Sequence, residues 1–109
     1  MTGKCERFEF NVAGVTYAGR QDRLARLGDG IHRCKLVHEM GNRYDKDAIA
    51  VVVDGSMIGY VGREINSLLL PILGQLSDLR CSISYSRRLG VRFAVVSLLL
   101  PESSKEEPA

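Results

Sequence analysis

An aromatic ring, a carboxylate and two cations lie together at the start of a predicted strand. Tyr44 and Asp45 are flanked by Arg43 and Lys46, directly before the strand-forming run DAIAV. A tyrosine ring offers a flat π-face on which any nucleic-acid base stacks. A carboxylate repels phosphate but accepts a hydrogen bond from a terminal sugar hydroxyl, while arginine and lysine bind neighbouring phosphates. These residue types suit a protein that holds the end of a single-stranded nucleic acid.

Several of these residues also have a purely structural interpretation. Asp45 can close an Asx turn by accepting the backbone amide hydrogen two residues on, a role compatible with end recognition. Asn42 is interpreted as a turn former rather than a base reader. Tyr60 fits equally well as a half-buried core ring with its hydroxyl directed outward. The Arg63–Glu64 pair can be the solvated first turn of a helix.

The remaining reactive side chains indicate neither an enzyme nor a metal site. Cys5, Cys34 and Cys81 are widely separated and odd in number, which disfavours both a disulfide framework and a zinc site. His32 and His38 fall on one predicted strand, about 20 Å apart at the usual rise per residue, too far to share a metal. No nucleophile with an adjacent base and no carboxylate cluster is evident. We therefore expect a non-enzymatic protein with no metal and no cofactor.

The length and charge of the chain set broad limits. Its 109 residues suffice for one domain with a single modest core. Its net charge of +2 permits an anionic partner without indicating one. The longest apolar run, VVSLLLP, is far short of the ~20 residues that a membrane helix needs. We expect a cytoplasmic protein with no membrane segment, in which Cys34 and Cys81 are buried as small apolar residues.

The spacing of apolar residues predicts six strands and two helices. The strands are predicted in RFEFNVAGVTY, IHRCKLVHE, DAIAVVV, SMIGYVG, LRCSISY and VRFAVVSLLL. Asp54-Gly55 between the third and fourth strands is a hairpin turn dipeptide. A short helix is predicted in RQDRLARLGDG. A second, in REINSLLLPILGQL, begins near Gly62 and breaks near Leu70, because Pro71 lacks an amide donor.

This order of elements predicts a mainly β fold, a small closed or partly open six-stranded β-barrel with two helical insertions, since barrel closure removes exposed strand edges. Residues 1–6 are predicted to form an N-terminal extension, residues 7–100 the domain, and residues 101–109 a disordered tail. Arg87 and Arg88, in the predicted turn SRRLG, are interpreted as a solvated hairpin tip, with phosphate contact as the less favoured alternative.

Two segments, NVAGVTYAG and LVHEMGNRYDKDAIAVVVDGSMIGYVGREI, closely resemble the HIRAN domain family. The resemblance covers roughly Phe8 to Leu73, and the C-terminal third matches only as generic strands. It implies an OB-like barrel that holds the 3′ end of single-stranded DNA. The family occurs fused to Snf2-type helicases of DNA repair and as small stand-alone proteins. Since this sequence has no helicase motif, the resemblance implies a binding domain, with a helicase or repair protein as a possible partner in trans.

The same resemblance assigns roles to individual residues. Tyr17 is placed opposite Tyr44 across the terminal base, with Asp45 reading the terminal hydroxyl. Tyr60 stands where a family histidine is found, and Arg63 where a family lysine binds phosphate.

Two positions depart from the family pattern. Thr16 stands where the DNA-binding member has an arginine, and Ala18 replaces a second aromatic residue. Thr16 can donate one hydrogen bond but carries no charge. Arg20, Arg23 and Arg43 are the candidates to replace the lost cation.

A second function class stays open on the sequence alone. The small net charge and the missing arginine at Thr16 are compatible with a protein-interaction module. In this alternative, the same groove or an exposed barrel edge accepts a peptide or a partner subunit.

Overall fold

Two antiparallel sheets and two short helices make up the fold. The structure, a computed structural model, describes residues 6–102. The strands are β1 (Arg7–Asn11), β2 (Gly30–Arg33), β3 (Lys35–His38), β4 (Ile49–Val53), β5 (Ser56–Tyr60), β6 (Ser77–Ser86) and β7 (Val91–Leu99). The helices are α1 (Arg20–Leu27) and α2 (Arg63–Leu69), and α2 continues into a 3₁₀ segment, Leu70–Gln75.

The first sheet has the strand order β1-β7-β6-β2, and the second has the order β3-β4-β5. The long β6–β7 hairpin forms the centre of the first sheet. The second sheet contains the predicted β4–β5 hairpin, in which Val53 pairs with Ser56 across Asp54-Gly55. Both turn residues have positive φ, 50° and 80°, as a two-residue hairpin turn requires. The hairpin prediction is confirmed.

The predicted count of six strands was wrong, because the segment predicted as one strand in IHRCKLVHE is two. The strand is interrupted at Cys34. On one side of it β2 pairs with β6 in the first sheet, and on the other side β3 pairs with β4 in the second. A chain that passes from one sheet to the other has to leave its first ladder before joining the next. His32 and His38 therefore lie on different strands, not on one face of a single strand.

No closed barrel is found in residues 6–102, where the two sheets pack together and one isolated backbone bridge links the turn after β1 to β5. Ala13, two residues after β1, exchanges both backbone hydrogen bonds with Tyr60 at the end of β5, at 2.8 and 2.9 Å. Gly59 makes this approach possible, since a Cβ there would lie 2.5 Å from the carbonyl oxygen of Ala13. The bridge brings the turn after β1 next to the end of β5.

The core lies between the two sheets, with α1 covering one side. Its fully buried side chains include those of Leu24, Ile49, Val51, Val53, Ile58, Cys81, Ile83, Val96 and Leu98. Burial raises the pKa of the Cys81 thiol to about 12 and that of Cys34 to about 11, so both stay protonated at neutral pH. Cys81 is buried as predicted, whereas Cys34 is half-buried.

Both helices begin and end close to their predicted positions. α1 has the two turns expected, and Leu24 anchors it in the core. α2 begins directly after Gly62 and gives way to the 3₁₀ segment at Leu70, where Pro71 follows. None of the helices in residues 6–102 is long and apolar enough to cross a membrane.

The first and last strands bring the two ends of the described chain together. β1 pairs with β7 in antiparallel register from Arg7–Leu99 onward, and the amide of Leu100 donates to the carbonyl of Glu6 at 2.8 Å. Most of the tail that was predicted to be disordered, from position 103 onward, lies outside the described residues. So does most of the predicted N-terminal extension.

Candidate nucleic-acid interface

A cleft of about 780 Å³ collects most of the residues singled out in the sequence. Three segments form its walls: the turn after β1, the loop between β3 and β4, and the junction of β5 with α2. The predicted residues that line it are Tyr17, Arg43, Tyr44, Asp45, Tyr60 and Arg63. Thr16 is exposed in the first of these segments but does not line the cleft. Positions far apart in sequence therefore share one surface.

Asn42 builds the loop that carries Tyr44 and Asp45. Its side-chain oxygen accepts the backbone amide hydrogens of both residues, each at 2.9 Å. Its side-chain amide donates to Oε1 of Glu39 at 3.1 Å. The interpretation of Asn42 as a turn former is confirmed. The turn directs the Tyr44 ring into solvent, where it is 81% exposed.

Asp45 has partners on both carboxylate oxygens. Oδ1 accepts the amide hydrogen of Asp47 at 3.0 Å, which is the Asx turn considered from the sequence. Oδ2 accepts a hydrogen bond from Nδ2 of Asn66 at 3.1 Å and lies 3.6 Å from Nε of Arg63. The pKa of Asp45 is lowered, mainly by the hydrogen bond from the Asp47 amide and further by Asn66 and Arg63. Partial desolvation acts in the opposite direction but does not outweigh them. The carboxyl is therefore ionised at neutral pH and acts only as an acceptor.

Arg63 links the first turn of α2 to the same loop. Its Nη2 donates to the backbone carbonyl of Tyr44 at 3.2 Å, yet its side chain remains 74% exposed. The guanidinium has five N–H donors, and these contacts use only part of them. Arg63 thus holds the loop and still presents charge to the cleft.

Tyr60 is half-buried, and its hydroxyl has a defined partner. The hydroxyl donates to Oε1 of Glu39 at 2.8 Å, the oxygen that also receives the Asn42 amide. This hydrogen bond is the main reason that the pKa of Tyr60 is raised, since the neighbouring carboxylate disfavours a tyrosinate. The Tyr60 hydroxyl is thus directed toward a protein carboxylate, and its ring forms a wall of the cleft.

Arg20, at the first position of α1, supplies a cation inside the cleft. Its guanidinium carbon lies 5.5 Å from the ring centroid of Tyr17 and 5.3 Å from that of Tyr60, and Nη1 donates to the carbonyl of Gly14 at 2.8 Å. These distances are within the range of cation–π contact. Three arginines were candidates to supply the cation that is missing at Thr16. Of these, Arg20 and Arg43 line the cleft. Arg23 instead donates to the carbonyl of Met57 at 2.7 Å, outside the lining.

Sequence reasoning missed two residues that support the site. Glu39 joins Tyr60 to Asn42, and Asn66 holds the carboxylate of Asp45. Asn66 had a detectable signal, a polar residue among the apolar positions of a predicted helix. Its partner, however, is 21 residues away in sequence.

A second depression, of about 900 Å³, lies where β2 passes into β3 beside the β4–β5 turn. It contains none of the residues predicted for the site. In residues 6–102 no group of three or more histidine, cysteine or acidic side chains is arranged to hold a metal ion. The chemistry expected from the sequence is therefore concentrated in the cleft around Asp45.

Comparison with known proteins identifies the family. The family model for the HIRAN domain matches residues 5–97. The crystal structure of the HIRAN domain of human HLTF is similar in fold, with a TM-score of 0.60 at 17% identity, covering 88% of this chain and 77% of that one. No curated protein sequence matches the chain. The extent of the family match shows that the chain belongs to the HIRAN domain family, whose members are generally DNA-binding modules.

Proposed function

We propose that the chain binds the 3′ end of single-stranded DNA in the cleft around Asp45, without catalysing a reaction. The observation that carries the proposal is an ionised, partly exposed carboxylate beside two exposed tyrosine rings and a cation. The proposal includes residues 7–100 as the binding domain, with the two sheets as an OB-like scaffold. It also includes a cytoplasmic role in DNA repair or replication, with a helicase or repair protein in trans.

Tyr17 and Tyr44 supply the stacking surface in this proposal. They are 69% and 81% exposed, so their rings do little for the core and are available to a ligand. Stacking of a base on an aromatic side chain contributes about 1–3 kcal/mol and tolerates any sequence. Two such rings at one cleft support the binding of a terminal base without sequence preference.

Asp45 supplies end recognition. A carboxylate has about four acceptor positions, and its hydrogen bonds to Asp47 and Asn66 occupy two of them. A free 3′ hydroxyl can donate to a remaining position. A 3′ phosphate would instead bring negative charge against the carboxylate, as would a strand that continues past this point. The fixed, ionised state of Asp45 therefore supports preference for a free hydroxyl.

Arg20, Arg43 and Arg63 supply the phosphate contacts. All three line the cleft, and Arg63 is largely exposed. Three contacts to a single strand predict a slope near −2 for the logarithm of the binding constant against the logarithm of salt concentration. The cations also offset repulsion between Asp45 and the DNA backbone.

The test compares labelled oligonucleotides with a free or a phosphorylated 3′ end, by fluorescence anisotropy in low salt. We expect the wild type to prefer the free hydroxyl and Asp45→Asn to lose most of that preference. Asparagine retains an acceptor for the Asp47 amide, so the variant removes the charge with little effect on the turn. Phosphorylating the 5′ end instead serves as the control. Equal affinity of the wild type for both 3′ ends would overturn end recognition.

A second candidate function is supported by the sheet edges. β2 and β3 are the terminal strands of their sheets, and Ile31 and Val37 on them are 71% and 44% exposed. An edge of this kind can accept an extended peptide as an additional strand. On this alternative, Ile31→Lys abolishes capture of a peptide or protein partner, and Arg63→Ala barely affects DNA binding. Loss of DNA binding in Arg63→Ala would count against it.

A further inference from the structure

The outer half of the β6–β7 hairpin is rich in arginine and contains no acidic residue. We call this segment, residues 84–93 with the sequence SYSRRLGVRF, the hairpin arm. It carries Arg87, Arg88 and Arg92. Since the whole chain has a net charge of only +2, the arm concentrates positive charge in one place. Clustered charge, rather than total charge, is the electrostatic signature of a nucleic-acid contact.

The hairpin arm extends past the hydrophobic core. Ile83 pairs with Ala94, and both are buried at 1% exposure. Tyr85 lies on the same face of β6, two residues further along, yet it is 48% exposed. Leu89 at the tip is 72% exposed. The core therefore ends between Ile83 and Tyr85, and the residues beyond it contribute little to burial.

Two aromatic residues, Tyr85 and Phe93, flank the three arginines of the arm. The guanidinium of Arg92 lies 5.3 Å from the ring centroid of Tyr85 and forms an ion pair with Asp29 at 3.0 Å. Within the described part of the chain, no ion pair or side-chain hydrogen bond engages Arg87 or Arg88. Exposed rings among uncompensated cations are the features with which proteins bind single strands.

Gln21 connects the root of the arm to the cleft. Its side-chain amide donates to the carbonyls of Val15 and Arg92, at 3.0 and 2.8 Å, and its oxygen accepts the amide hydrogen of Arg92 at 2.9 Å. The neighbouring residue, Arg20, is the cation between the rings of Tyr17 and Tyr60. The cleft and the arm are therefore held together through adjacent residues of α1.

We infer that the hairpin arm binds the phosphodiester backbone of the strand on the 5′ side of the cleft, through Arg87 and Arg88. This inference rests on the proposed function, because a strand whose 3′ end is held at Asp45 has to leave the cleft in the 5′ direction. Arg87 and Arg88 lie in the turn after β6, beyond the pair of Tyr85 with Arg92.

The experiment measures affinity as a function of oligonucleotide length. The double variant Arg87→Ala/Arg88→Ala is compared with Arg26→Ala/Arg33→Ala, which removes the same charge from exposed positions outside the cleft and the arm. Probes with a free 3′ hydroxyl, about four and about sixteen nucleotides long, bracket the usual site sizes of an OB fold.

The arm variant is expected to bind the long probe about 3- to 10-fold more weakly in low salt, with a salt slope shallower by about 1.4 for two lost contacts. Its affinity for the short probe should be unchanged, and the control should bind both probes like the wild type. Arg87→Lys/Arg88→Lys should retain most of the long-probe affinity, since lysine preserves the charge.

The outcomes separate this inference from the proposed function. An arm variant that binds the long probe as tightly as the control overturns the inference and leaves the cleft proposal intact. Equal loss on the short and long probes also overturns it, because the arm would then act through the cleft itself. If the wild type binds the long probe without preferring a 3′ hydroxyl over a 3′ phosphate, the end-recognition proposal fails while the arm's contribution remains measurable.

Discussion

The side-chain amide of Asn66 donates to Oδ2 of Asp45 at 3.1 Å, so that α2 contacts the loop before β4 through Asn66 as well as through Arg63. Asn66 is 4% exposed and is the one buried polar side chain recorded in residues 6–102. Buried amides are retained where they have a hydrogen-bond partner, and here the partner is the carboxylate proposed to read the DNA end. On the proposed function, Asn66 is therefore a positioning residue, which orients the Asp45 carboxylate.

Asn66→Ala should reduce the preference for a 3′ hydroxyl over a 3′ phosphate several-fold, because the Asp45 carboxylate loses one of the bonds that orient it. Affinity for the 3′-phosphorylated probe should change little. The ratio of the two affinities is measured by anisotropy, at a temperature where circular dichroism shows the variant folded. Leu68→Ala, at a 67% exposed position on the same helix, is the control. An unchanged ratio would restrict Asn66 to a structural role.

The lowered pKa of Asp45 predicts how its charge contributes to stability across pH. A carboxyl whose pKa is lower in the folded than in the unfolded chain stabilises the fold above its unfolded value of about 3.9. This contribution disappears as the pH falls through the folded pKa. The wild type should therefore have a higher Tm than Asp45→Asn at neutral pH, and the difference should vanish in acid.

Thermal unfolding followed by circular dichroism between neutral pH and about pH 2 measures this difference. Glu9→Gln, at an exposed strand position, provides the comparison for a carboxylate that has no such set of partners within residues 6–102. A Tm difference for Asp45→Asn that is constant across the whole range would contradict the assignment.

Arg20 should contribute to DNA binding where Thr16 cannot. Arg20→Ala is expected to weaken binding of a short oligonucleotide about tenfold, since a charge-assisted contact contributes roughly 1.5–3 kcal/mol, and to make the salt slope shallower by about 0.7. Arg26→Ala removes the same charge from the exposed last turn of α1 and should have almost no effect. Equal effects of the two variants would mean that only total charge matters.

The hydroxyl of Tyr60 should titrate at lower pH once Glu39 is neutral. Glu39→Gln removes the carboxylate that is the main cause of the raised pKa of Tyr60 while leaving an acceptor oxygen in place. The chain has four tyrosines. In a titration followed by tyrosinate absorbance, one of the four ionisation steps should therefore move to lower pH. The change should be absent when Tyr60→Phe is combined with Glu39→Gln. A shift that persists in this double variant would come from another tyrosine.

Gly59→Ala should destabilise the protein by about 1–3 kcal/mol, the usual cost of overpacking. Its Cβ would lie 2.5 Å from both the carbonyl oxygen of Ala13 and Cγ1 of Val12, and so would separate the bridge between the sheets. Gly74→Ala, with no atom within 4 Å of the new methyl group, is the matched control. Denaturant unfolding gives both free energies. Equal values would show that the bridge tolerates separation at little cost.

The features predicted correctly from the sequence are those that neighbouring residues determine. Asp54-Gly55 specifies its hairpin because both residues accept positive φ, and Pro71 interrupts α2 because it has no amide hydrogen. The Asn42 turn is likewise local, since its partners lie two and three residues away. Such signals are present in any short window of the chain.

The features that were missed depend on which segments meet. Nothing near Cys34 shows that β2 will pair with β6 and β3 with β4, so the segment resembled one continuous strand. The choice between Arg20 and Arg23 depends on how α1 is rotated against β5, where Arg23 donates to the carbonyl of Met57. The role of Asn66 was not predicted for the same reason, since its hydrogen-bond partner, Asp45, comes from another segment.

The hydrogen bond between Leu100 and Glu6 has a practical consequence for engineering. Because the two ends of the described fold meet on adjacent strands, a linker of a few residues would join them without disturbing a strand pair. New termini could then be opened at Asp54-Gly55, in an exposed turn outside the cleft around Asp45. Such a circular permutant would free the vicinity of Glu6 and Leu100 for other attachments. It would equally permit the domain to be inserted, by both ends at once, into a surface loop of a larger protein.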